Sequence, residues 1–60
     1  MEEKALKAIQ KNIKDSTAKL AELKEDIRKA EAAGIKVETS KQEARDLEQR
    51  IRKMVAVYGT

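Results

Sequence analysis

Residues 32–43 read AAGIKVETSKQE, and this stretch decides the fold because it carries a helix stop followed closely by a helix start. Gly34 comes after two alanines and before Ile35. That order is expected where a helix ends in a left-handed residue and the next apolar residue folds back on the last turn, here near Ala30. Ser40, Lys41, Gln42 and Glu43 then spell an S-x-x-E capping box. The Ser40 hydroxyl would accept from the amide of Glu43, and the Glu43 side chain would reach back to the amide of Ser40. Thr39 with Gln42 offers the same start one residue earlier. Either cap leaves a connection of about six residues, a length that joins antiparallel neighbours in bundles. The expected layout is a single domain over residues 1–60, with a helix at about 2–33, a turn at 34–39 and a helix at about 40–58.

Working outward from the corner, the apolar residues set the type of helix. Leu6, Ile9, Ile13, Ser16, Leu20, Leu23, Ile27 and Ala30 succeed one another at alternating steps of three and four, with only Ser16 polar. This is the seven-residue repeat of a coiled-coil seam. Beyond the corner it returns as Val37, Ser40, Ala44, Leu47, Ile51, Met54 and Tyr58. Glu3 with Lys7, Asp15 with Lys19, Glu25 with Lys29, Asp46 with Arg50 and Glu48 with Arg52 each place an acid four residues before a base. Such pairs support a solvated helix by roughly 0.2–0.5 kcal/mol apiece. Asp15, Ser16 and Thr17 form a weaker start signal where the first helix could kink, but the repeat passes through in phase and predicts a continuous helix.

Antiparallel seams pair residues whose numbers have a constant sum. A turn centred on Val37 sets Ala30 against Ala44, Ile27 against Leu47, Leu23 against Ile51, Leu20 against Met54 and Ser16 against Tyr58. The next register inward leaves Ile27 and Ala30 without partners, and burial argues against it. Leu20, Leu23, Ile27, Leu47 and Ile51 are thus the expected hairpin core. The second helix ends near Val57 or Tyr58, so some fifteen residues of the first, roughly 22 Å at 1.5 Å per residue, project past it. They carry Leu6, Ile9 and Ile13, for which the chain offers no cover except its apolar end, Met54, Val55, Val57 and Tyr58. A monomer is expected to expose these side chains, each worth about 1.5–3 kcal/mol when buried. The expected assembly is a homodimer, most simply a twofold four-helix bundle joined through these seven residues, with another helical protein as the alternative cover.

Composition narrows the chemistry. The chain has no Cys and no His among its 60 residues, so disulfides, thiolate metal sites and the commonest general base are missing. Paired acids such as Glu25 with Asp26 lack anything to desolvate them, and Ser16, Ser40 and Tyr58 lack a base to activate them. The expectation is therefore no catalytic, cofactor or metal site. Charged residues make up 42% and there is no Pro, a composition of long helices. No apolar run is long enough to span a membrane, and MEEKALKAIQKN lacks the apolar centre of a signal peptide, which makes a cytoplasmic location the default. Lys4, Lys7, Lys11 and Lys14 form an outward row on the projecting segment, with Arg45 and Arg52 outward on the second helix. Such a row suits a phosphate backbone, but no aromatic residues interleave with it for base stacking.

Gly34-Ile35 followed by Ala44-Arg45-Asp46-Leu47-Glu48 resembles the helical-hairpin aspartyl-phosphate phosphatases of sporulation control. In that family a Ser-Gln-Glu-Leu-Asp motif lies about ten residues past a glycine-apolar helix end. Leu47 matches, Glu48 stands at the acidic position, and Ala44 stands where the family has serine. The resemblance spans residues 34–58 and implies action on a phosphorylated response regulator. From the residues themselves, the leading expectation is a non-enzymatic interaction or assembly module. A basic nucleic-acid-binding dimer and the phosphatase-like regulator are the alternatives.

Overall fold

A computed structural model describes residues 2–59. They form two helices packed side by side, α1 over Glu3–Ala32 and α2 over Glu38–Tyr58, with no strand among the described residues. The molecule measures 47 × 14 × 13 Å, a rod two helices thick. Its length is that of α1, whose 30 residues span about 45 Å at about 1.5 Å each. α1 runs unbroken past Asp15, Ser16 and Thr17. The Thr17 hydroxyl donates back to the Ile13 carbonyl at 2.7 Å, and the Ser16 hydroxyl lies 3.4 Å from Asn12 Oδ1. Both polar groups are thus turned onto the preceding turn of their own helix, and neither starts a new one.

The stop is built as its sequence implies. Gly34 has φ +78°, the Ile35 amide donates to the Ala30 carbonyl at 2.9 Å, and the Gly34 amide donates to that of Glu31 at 3.0 Å. These two bonds make a Schellman motif and satisfy carbonyls that the helix end would otherwise strand. The Ile35 backbone folds back, while its side chain remains 61% exposed.

The start differs from the capping-box expectation. α2 begins at Glu38 with Val37 as its N-cap residue and no side-chain cap, so Ser40 and Glu43 do not form the box. The first helical bond runs from the Lys41 amide to the Val37 carbonyl at 2.8 Å, which leaves Ser40 in the third helical position, half-buried on the seam. Magnitudes explain the outcome. A side-chain cap is worth about 1 kcal/mol, whereas burying a valine is worth about 1.5–3 kcal/mol. Val37 is 9% exposed, packed with Leu20, Ile27 and Ala44. Starting early also places Glu38 in the first turn, where its charge complements the helix dipole. The connection shrinks to residues 33–37.

Writing the repeat abcdefg with Leu6 at a, the buried residues are all a positions: Ile13, Leu20 and Ile27 on α1, Val37 and Ala44 on α2. Leu23, Ala30, Leu47 and Ile51 pack half-buried against them. Two ion pairs cross between the helices. Lys24 Nζ lies 3.5 Å from Glu48 and Lys41 Nζ 2.8 Å from Glu31. All four residues occupy e positions, one residue past a d position of the seam. With Leu23 opposite Ile51 and Ala30 opposite Ala44, e positions are neighbours, and Lys24 meets Glu48 while Glu31 meets Lys41. Sliding one heptad inward would set Lys24 against Lys41 instead. Among the described residues no helix is long and apolar enough to cross a membrane.

Candidate interaction surface at the open end of the hairpin

α1 has 30 residues and α2 has 21, so the seams cannot match along their whole length. Tyr58, the last residue of α2, faces Ser16 in the register fixed by the ion pairs. The part of α1 from Glu3 to Asp15, about 20 Å of helix at about 1.5 Å per residue, therefore lies beyond α2. This projection is the feature that sets the molecule apart from a closed hairpin.

The three seam residues of the projection are not equivalent. Ile13 is 4% exposed, the most deeply buried core residue, within a single chain. The expectation that a monomer leaves it open does not hold. It sits one layer past Ser16, where Tyr58 is the α2 side chain that the register brings nearest, and Tyr58 itself is half-buried. Ile9 and Leu6 lie two and three layers past Ser16, out of reach of α2. Both are only half-buried, since turns of their own helix flank them and, among the described residues, no second helix faces them. Met54 is half-buried within the hairpin, while Val55 and Val57 are 37% and 72% exposed on the flanks of α2.

A shallow apolar groove runs along one flank of α1 beside Ile13, formed by Gln10, Lys14, Thr17, Ala18 and Ala21. The seam pattern did not reveal it, because none of these residues is a large apolar one. Its signal is the run of small side chains at Thr17, Ala18 and Ala21, spaced to share a face. The opposite flank is polar, lined by Lys19, Glu43, Asp46 and Arg50 around Leu23 and Leu47.

Charges decorate the remaining surface in short local pairs. Lys7 reaches Glu3 at 3.4 Å and Arg52 reaches Glu48 at 3.5 Å, both four residues apart. Glu25 chooses Arg28 over Lys29, and this hydrogen-bonded pair holds the Glu25 carboxyl below its ordinary pKa and the Arg28 guanidinium above its own. Asp46 accepts from Gln42 Nε2 at 2.8 Å rather than pairing with Arg50. Lys4, Lys7, Lys11 and Lys14 are all exposed on the outer side of the projection, away from its seam. Of the motif that resembles the hairpin phosphatases, Ala44 is 7% exposed within the core, and Glu48 lies between Lys24 and Arg52. Among the described residues no group of three or more carboxylates gathers as a metal site would require.

No protein-family model, curated protein or solved structure matches the chain. The functional reading therefore rests on the geometry of this surface.

Proposed function

We propose that the protein is an interaction module that self-associates through the projecting part of α1. One observation carries the reading: Leu6 and Ile9 continue the seam of α1 past the end of α2, so two large apolar side chains stand in a coiled-coil stripe with no facing helix. A stripe of this kind gains only when a second helix covers it. In a hairpin this small the core contributes little to spare, and each of these side chains returns about 1.5–3 kcal/mol on full burial, less the part already covered. The flanking charges then select orientation and partner.

The test is the mass in solution across a concentration series. The chain weighs 6.8 kDa, and self-association should carry the mass toward twice that value by about 1 mM. A folded helical monomer over the whole range would overturn the reading. A second reading draws on the row of exposed lysines: it would hold a polyanion weakly, and titration with a nucleic acid should then show binding that falls steeply as salt is raised.

A further inference from the structure

The projections of two copies can share a seam in few ways, and most of them collide with α2. A parallel pairing, Leu6 on Leu6 and Ile9 on Ile9, would carry the second α1 past Ser16 into the space α2 occupies. An antiparallel pairing that sets Ile9 on Ile13 would lay residues 3–6 of the second copy over the place held by Val55–Tyr58, one full helical turn of overlap. The antiparallel register one heptad shorter sets Leu6 against Ile9 of the second copy and Ile9 against its Leu6. There α1 of the second copy starts, at Glu3, opposite Asn12, about one helical turn short of the level of Tyr58.

We infer that two copies join head to head in this last register, with the twofold axis between Lys7 and Ala8. The inference rests on the proposed self-association and names its geometry. Three features support it beyond the absence of collision. First, Ile13 is already buried in its own hairpin, so Leu6 and Ile9 are the seam side chains still needing cover, and this register covers both. Second, the flanking positions face each other without like charges: Glu3 meets Gln10 of the second copy, and Ala5 meets its Asn12. The Gln10 amide can donate to the Glu3 carboxylate. All four lysines of the projection stay on the outer side. Third, the second α1 runs in the same direction as the first α2 and follows it end to end, so a helix N-terminus approaches a helix C-terminus that carries no basic residue in its last turn. The interface comprises two apolar layers, which makes the dimer weak and reversible.

Cysteine pairing tests the register directly, because the natural chain contains no thiol to interfere. Leu6→Cys and Ile9→Cys chains, one of them mass-labelled, are mixed at about 1 mM in a glutathione redox buffer and read by non-reducing mass spectrometry. The expected product is the mixed disulfide, enriched at least tenfold over either self-linked dimer. In this register the thiols of two Leu6→Cys chains are offset by three residues, about 4.5 Å along the axis, which adds to the interhelical spacing and exceeds disulfide reach. A predominant self-link of the Leu6→Cys chain would mean parallel pairing and overturn the inference. So would absence of the mixed disulfide while the wild-type chain dimerises. A wild-type chain that remains monomeric at the same concentration would instead remove the underlying self-association.

Discussion

At Gly34 the backbone takes φ +78°, and a Cβ added there would meet nothing within 4 Å. The requirement is conformational rather than steric, so Gly34→Ala should destabilise the hairpin by about 1–2 kcal/mol in a thermal or denaturant melt. Ser40 tests the opposite kind of expectation. A capping serine lost to alanine would cost about 1 kcal/mol, but Ser40 lies inside the first turn without a capping role. Ser40→Ala should therefore change stability by less than about 0.5 kcal/mol, and chemical denaturation reads the difference. The sequence showed both signals with equal clarity, yet only the stop was used. An S-x-x-E pattern describes local bonds alone, and it cannot weigh them against burying Val37 one turn earlier. Glu25 adds a pH dependence. Its hydrogen bond to Arg28 lowers its pKa, so the pair contributes stability above the ordinary glutamate pKa and loses it as pH falls through the lowered one. A carboxyl NMR titration should place Glu25 below the ordinary glutamate range, and Arg28→Ala should bring it back toward that range.

Between the helices, the seam and its flanks agree on one register. The heptad pattern sets Leu23 against Ile51, and the same alignment brings Lys24 to Glu48 and Glu31 to Lys41. Lys24→Glu should weaken the hairpin by roughly 0.2–1 kcal/mol, since exposed ion pairs are worth little. Combining it with Glu48→Lys should recover part of that loss, as thermal melts of the two singles and the double would show. No recovery would mean that the two residues are not neighbours. Continuity of α1 and its antiparallel return were legible because seven-residue periodicity is a long-range, redundant signal. The i, i+4 pairs were less so. Glu25 and Asp46 took Arg28 and Gln42 as partners, because several bases and amides lie within one turn of each acid and their energies differ by tenths of a kcal/mol.

For the molecule as a whole, the mismatch between 30 and 21 helical residues leaves the start of α1 without α2 beside it. The sequence revealed the overhang through the register, but it overstated what the overhang leaves open. Ile13 is only 4% exposed within its own chain, which residue spacing alone does not encode. The stretch of the α1 seam that α2 leaves uncovered is thereby reduced to Leu6 and Ile9. Changing these two together, Leu6→Gln with Ile9→Gln, should leave the helical hairpin intact, since the core from Ile13 to Ala44 is untouched. The decisive measurement is sedimentation equilibrium of wild type and double variant at matched concentrations up to about 1 mM, with helicity followed by circular dichroism. Self-association through the projection predicts a wild-type mass rising toward a dimer and a double variant that is equally helical but stays at 6.8 kDa. An unchanged association in the variant, or a wild type that never leaves 6.8 kDa, would contradict it.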